Sequence, residues 1–160
     1  MINLRLREVQ DDDLPVFFEY NRDPEAVRMA AFTSKDPDDR AAFDAHWTRI
    51  RATDKVLIRT IEVDGRIAGS VSSYVMDGNM EVTYWLGREF WGRGIATAAL
   101  ADFLNEQITR PIYARAVKDN AGSLRVLEKC GFVIIGEDQG FANGRGQEVD
   151  EYILELAADK

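Results

Sequence analysis

Two Asp-Gly pairs, Asp64-Gly65 and Asp77-Gly78, punctuate a β-rich stretch that runs from Val56 to Leu86. Such a pair between alternating apolar segments is a strong hairpin signal, because both central turn positions need positive φ. Val56–Val63, Arg66–Met76 and Glu81–Leu86 therefore predict three strands in an antiparallel meander. A meander has an apolar face to cover, so the rest of the chain is read for its covers. Ile2 to Arg7 alternates as a strand. Asp11-Asp12-Asp13, Asp23-Pro24-Glu25 and Asp36-Pro37-Asp38 are helix starts, with acids for the capping amides and Pro where a first turn tolerates it. After the third, Phe43, Trp47 and Ile50 fall on one helical face.

Past the meander the style changes. Gly87 to Gly94 is glycine-rich, and Ile95–Ile108 is an Ala- and Leu-rich helix broken at Pro111. Ile112–Val117 is a strand, and Ala121–Lys129 is a helix with Gly131 as C-cap. Phe132–Ile135 and Glu148–Leu156 close the chain as strands around a turn at Gly140–Gly146. The expectation is an α/β (α+β) fold: a mixed, mostly antiparallel sheet of about seven strands flanked by helices, one domain over residues 1–160.

The formal charge of −8 disfavours the phosphate backbone of nucleic acids and favours cationic partners such as protonated amines. No apolar run reaches the roughly 18–20 residues that span a bilayer, so no membrane is expected. A single cysteine, Cys130, excludes an internal disulfide and suits a reducing cytoplasm. With one histidine, His46, the chain lacks a usual zinc ligand set, and no metal is expected.

Within that acidic chain, Trp91-Gly92-Arg93-Gly94-Ile95-Ala96-Thr97 stands between a strand and a helix. A diphosphate needs converging backbone N–H groups with no Cβ in the way, and the first turn of a helix offers them together with its dipole. Arg88 and Arg93 add local positive charge. A ligand-free strand-to-helix turn would have the same glycines. No Gly-Lys pair exists for a Walker loop, and Thr97 occupies the third glycine position of a dinucleotide fingerprint. Downstream, Asp119-Asn120-Ala121-Gly122-Ser123 reads either as a helix cap or as polar groups facing a ligand one turn apart.

Together the two segments resemble the GNAT superfamily of N-acetyltransferases, in its branch of ribosomal-protein N-terminal acetyltransferase-like proteins. Residues that carry the resemblance are Tyr84-Trp85-Leu86, then Trp91 through Leu100, then Asn120, Ser123, Val126, Leu127, Lys129, Gly131 and Phe132. The element order agrees along essentially the whole chain. The resemblance implies splayed strands, with a V-shaped opening between the strand ending at Leu86 and the strand Ile112–Val117. Acetyl-CoA would lie there as co-substrate, its pantetheine arm along Leu86, Gly87 and Arg88. Its pyrophosphate would rest on the amides of Gly92, Arg93, Gly94, Ile95, Ala96 and Thr97, beside Trp91, with Asn120 and Ser123 lining the arm's far side.

Direct transfer to a primary amine, a peptide N-terminus or a small molecule, is implied, by a monomer or homodimer. Arg28, Met29 and Phe32 fall where relatives build the acceptor pocket. Many relatives carry a thiolate-protonating Tyr seven residues after the motif Asn. Leu127 stands there, which leaves Ser123 as the candidate acid. Glu81 is the candidate base, acting through water, or else a solvated strand-start carboxylate. The missing Tyr motivates an alternative, a non-catalytic acyl-CoA-binding module, and a third reading is an unliganded interaction domain.

Overall fold

The computed structural model describes residues 2–158. The strands are β1 (Leu4–Arg7), β2 (Leu57–Val63), β3 (Arg66–Met76), β4 (Asn79–Leu86), β5 (Ile112–Val117), β6 (Val133–Ala142) and β7 (Gln147–Leu156). The helices are α1 (Leu14–Arg22), α2 (Pro24–Ala30), α3 (Arg40–Arg51), α4 (Ile95–Glu106) and α5 (Ala121–Lys129). All seven strands join one sheet in the order β1-β2-β3-β4-β5-β7-β6. Every pairing is antiparallel except that of β4 with β5.

Local signals account for most boundaries. Asp64-Gly65 and Asp77-Gly78 share φ values of 51° and 80°, the double positive φ of a two-residue hairpin turn. The Asp23 carboxylate accepts from the Glu25 amide, and the Asn120 side chain accepts from the Ser123 amide. At the end of α5, Gly131 takes φ 98° and lets Phe132 N–H reach back to the Leu127 carbonyl at 3.1 Å. The helix expected to start at Asp36-Pro37-Asp38 starts one turn later, where Asp39 caps the Ala42 amide.

One face of the sheet carries α4, whose Ile95, Ala99, Leu100 and Phe103 are buried with Val71, Val82, Ile112 and Leu154. The other face carries Phe17 of α1 and Trp47 of α3, ring centroids 5.1 Å apart, over Ile58 of β2. A buried ionic knot fastens the first strand. Asp13, 1% exposed, accepts from Arg7 Nη1 and Nη2 at 2.8 and 2.9 Å, from the Thr60 hydroxyl at 2.7 Å and from the Gln10 amide at 2.9 Å.

The last hairpin departs from the sequence expectation. β6 runs to Ala142, well past Ile135, and the turn contracts to the residues before Gln147. Gly140 sits inside the strand because Phe32 packs over it: a Cβ there would meet the Phe32 ring at 3.2 Å. Gly136 follows a shift in register opposite Ile153. Both glycines mark close approach and a bulge rather than a chain reversal.

Between β4 and β5 the sheet forks. They pair only at Met80 with Ile112 and Glu81 with Tyr113. Beyond that point β4 stays with β3 as far as Leu86, and β5 stays with β7 as far as Val117. Each arm is held by its outer neighbour, so the inner edges diverge.

Candidate functional site

The fork opens into a cleft of about 860 Å³. Along the β4 arm, Gly87 N–H donates to the Ala68 carbonyl on β3 at 2.9 Å. Alternation in an antiparallel ladder then turns the amide groups of Tyr84 and Leu86 to the opposite edge, toward the fork. There the Leu86 carbonyl accepts from the Trp91 indole N–H at 3.1 Å, which ties the motif tryptophan to the strand end. Gly92 and Gly94 adopt φ 72° and 75°, and a Cβ built on either meets nothing within 4 Å. Gly94 is the N-cap of α4, so Ile95, Ala96 and Thr97 bring first-turn amides that no intrahelical carbonyl can satisfy. Sterically bare, donor-rich backbone beside an open strand edge fits an extended anionic ligand with an amide-bearing arm.

Most residues marked in the sequence converge on this cleft: Leu86, Trp91, Gly92, Gly94, Ile95, Ala96 and Thr97 on one side, Asn120 and Ser123 on the other. Met29 and Phe32 close one end. Several others lie elsewhere. Gly87 borders no part of the cleft; a Cβ on it would strike the Tyr20 ring, so its smallness serves packing. Arg88 pairs with Asp23 at 3.0 Å, and Arg93 stands over the Phe90 ring at 5.9 Å. Among the described residues, the cations that do border the cleft are Arg115 of β5 and, from α5, Arg125 and Lys129. Arg28 turns outward to Glu25 at 2.9 Å, and its carbonyl is held by Arg145. Asn120 spans the fold, its amide N–H donating to the Met29 carbonyl at 3.3 Å.

Two arrangements carry chemistry. The Tyr84 hydroxyl donates to Ser123 Oγ at 3.2 Å, which leaves the serine proton free to face the cleft. Burial pushes the Tyr84 phenol above its ordinary pKa, so it keeps its proton at neutral pH. At position 127, where many of the relatives that the chain resembles carry a tyrosine, stands a core leucine 2% exposed. A hydroxyl partner comes instead from β4, within the quoted Tyr84-Trp85-Leu86 segment.

The second arrangement stands at the root of the fork. Glu81, 5% exposed, is buried rather than solvated. Burial raises its pKa above the usual carboxylate value, the nearby Arg115 opposes the rise, and Glu151 reinforces it. Arg115 Nε lies 3.8 Å from Glu81, too long for a hydrogen bond, and that buried N–H has no other partner. The guanidinium meets Asp138 at 3.0 Å and Glu151 at 2.9 Å. Tyr74, opposite Glu81 on β3, borders the cleft with Arg115 and Glu151. Nothing in the sequence pattern marked Arg115, Glu151 or Tyr74, whose partners are distant along the chain.

Residues 3–133 match the acetyltransferase (GNAT) domain family. An N-acetyltransferase of Bacillus licheniformis, itself uncharacterized, is 24% identical over 96% of this chain and 92% of its own. RimJ of Mycobacterium smegmatis, solved with CoA-disulfide, has the same fold at TM-score 0.81 and 23% identity, over 97% of this chain and 82% of that one. The ribosomal-protein-alanine N-acetyltransferase of Brucella melitensis follows at TM-score 0.79 and 20% identity, over 96% and 99%. The microcin self-immunity acetyltransferase MccE, solved with acetyl-CoA and AMP, superposes at 0.81 and 20% identity, over 97% and 92%.

Proposed function

The chain belongs to the GNAT acetyltransferase family, and from that premise we propose that it transfers the acetyl group of acetyl-CoA to a primary amine within a ternary complex. The observation that carries the reading is the fork itself: a strand edge parted from β5 leads straight to a helix-capping loop left open at Gly92 and Gly94. The pantetheine arm would pair with Tyr84 and Leu86, and the phosphates would meet the amides of Gly92 to Thr97 with Arg125 and Lys129 nearby. Acetyl-CoA brings an activated thioester carbonyl, which an uncharged amine can attack. RimJ and the ribosomal-protein-alanine enzyme share the fold. With the Tyr84-Trp85-Leu86 and Trp91–Leu100 segments, they favour the ribosomal-protein N-terminal acetyltransferase-like branch.

This chain's residues then have distinct tasks. Glu81, with its raised pKa, is the better proton acceptor for it and draws the amine proton through a water. Ser123 gives its proton to the departing thiolate, and Tyr84 stands behind it as the donor that restores it. The Tyr84–Ser123 pair removes the chief motive for reading the chain as a binding module without turnover. Cys130 takes no part: burial raises its thiol pKa, and its Sγ faces the Thr97 carbonyl at 3.6 Å. The reading treats the chain as one acyltransferase unit working in a reducing cytoplasm, with no metal.

Free-thiol release with acetyl-CoA and a panel of amines, amino acids and peptides tests the activity; release no faster than hydrolysis across the panel would reduce the protein to a binder. Ser123→Ala is expected to lower kcat about 10²-fold or more, with acetyl-CoA affinity retained. Tyr84→Phe should give a smaller loss, and an unchanged kcat in Ser123→Ala would remove the serine from the chemistry. Glu81→Gln is expected to lower kcat by about 10²–10⁴-fold. Because its pKa is raised, activity of the unaltered enzyme should fall with acid at a midpoint above that of an ordinary glutamate. The glutamine variant should lack that acid limb; its survival would assign the limb to another group.

A further inference from the structure

A second cleft, of about 510 Å³, lies under α3 on the sheet face away from α4. Its floor is the β3–β4 hairpin, where Ser70 stands opposite Trp85 and Ser72 opposite Thr83. Phe43, Trp47 and Ile50 of α3 form an apolar wall. The cleft is not isolated: Phe32, Thr83, Tyr84 and Trp85 border both it and the fork. The two spaces meet across the inner edge of β4 at Thr83, Tyr84 and Trp85; the Tyr84 hydroxyl reaches Ser123 on the fork side.

Its charge is one-sided. Exposed Asp36 and Asp39 border it, and among the described residues neither a lysine nor an arginine does. Each aspartate spends Oδ1 on a backbone amide, Asp36 on Asp38 N–H and Asp39 on Ala42 N–H, and keeps Oδ2 for another donor. Thr33, also on the wall, has a buried hydroxyl with no partner. Besides the two aspartates, the titratable groups that border it among the described residues are Tyr84 and His46; desolvation followed by the Arg49 charge lowers the His46 pKa, so it adds no cation at neutral pH. A ligand carboxylate here would face two like charges with no compensating cation. Floor and wall together are apolar and weakly polar, of a size that encloses small molecules.

Building on the acetyl-transfer reading above, we propose that this second cleft holds the acceptor, and that the acceptor is a small primary ammonium compound with an aromatic or branched aliphatic body and no carboxylate. Its cationic head is drawn past Asp36 and Asp39, and its body packs against Phe43 and Trp47. The amino group reaches Thr83 and Tyr84, where the two clefts join. Glu81 lies on the same sheet face two residues before Thr83, about 7 Å along the strand, a gap that its own side chain and one water close together. The balance closes there: the ammonium head first gives one proton to solvent, and the N–C bond then forms as the C–S bond breaks. The second nitrogen proton passes through water to Glu81, and the thiolate takes the Ser123 proton, which Tyr84 and then solvent restore.

Calorimetric titration of the CoA-loaded protein with phenethylamine, phenylalanine and an Ala-initiated tripeptide tests the proposal. Phenethylamine should bind at least tenfold more tightly than either competitor. Ser72→Phe, which fills the floor, should weaken phenethylamine at least tenfold and leave the acetyl-CoA thermal shift intact. Asp36→Lys, on an exposed loop, should do the same without touching the core. Phenylalanine or the tripeptide binding as tightly as phenethylamine overturns the proposal, as does undiminished phenethylamine binding in both variants. Thiol release in the same samples separates the two ideas: a bound amine that is not acetylated sinks acyl transfer, and acetylation of peptides unaffected by either variant sinks only the acceptor assignment.

Discussion

Replacing Gly94 by valine will abolish the stabilisation that acetyl-CoA gives the protein. A ligand at about 100 times its dissociation constant stabilises by about 2.7 kcal/mol, several degrees in a thermal melt. Gly94 has φ 75°, and the space its Cβ would enter is free of protein atoms, so the new side chain intrudes on ligand space and not on packing. The left-handed backbone adds strain of its own, about 1–2 kcal/mol for a residue with a Cβ. Gly78→Val isolates that contribution, since Gly78 has φ 80°, equally open surroundings and a place on the turn before β4. The control should lower the unliganded melting temperature comparably and keep the full acetyl-CoA shift. A full shift in Gly94→Val would remove the loop from cofactor binding.

The second large effect concerns folding alone. Asp13→Ala leaves the Arg7 guanidinium with Glu62 as its remaining carboxylate partner at 2.8 Å and takes the acceptor from the Thr60 hydroxyl and the Gln10 amide. Breaking a buried ion pair costs about 3–5 kcal/mol, and the surviving Glu62 pair puts the expected loss at about 3 kcal/mol. Denaturant unfolding measures it directly; a loss under about 1 kcal/mol would mean the knot relaxes into solvent. The same group shapes the acid limb of stability. Burial pushes the Asp13 pKa up, but hydrogen bonds from Arg7, the Gln10 amide and Thr60 outweigh it and hold the carboxyl below its usual range. A carboxyl depressed in the folded state contributes stability fully above its unfolded pKa, about 3.9, and loses it as pH falls through the folded value. Asp13→Asn should therefore flatten the fall in stability below about pH 4.

How far the sequence carried the structure depended on the range of the forces involved. Hairpins at Asp64-Gly65 and Asp77-Gly78, caps at Asp23 and Asn120, and the reversal at Gly131 are local, decided within a few residues, and all were legible. The length of β6 was not, because Gly140 is explained by the Phe32 ring that covers it from a distant part of the chain. In the site, the motif glycines and Ser123 were legible as a pattern. The cations were less legible: Arg88 pairs with Asp23, while Arg125 and Lys129, which border the cleft, come from the next helix. Likewise a stripe of Phe43, Trp47 and Ile50 announces only an apolar face. That part of this face lines a cleft follows from how α3 sits over β3 and β4.

Arg115 has a further bearing on how the fork moves. It reaches Glu81 of β4, Glu151 of β7 and Asp138 of β6, so four strands are laced together where β4 and β5 part. From there to Leu86 the arm is five residues, about 17 Å of strand, parted from β5 but still paired with β3. Held to β3, such an arm turns only together with its half of the sheet: a turn of about 5° at the charged root would displace the tip by roughly 1.5 Å, half the length of a hydrogen bond. Small adjustments among one guanidinium and three carboxylates are thereby amplified at the far end, where the strand hands over to the loop.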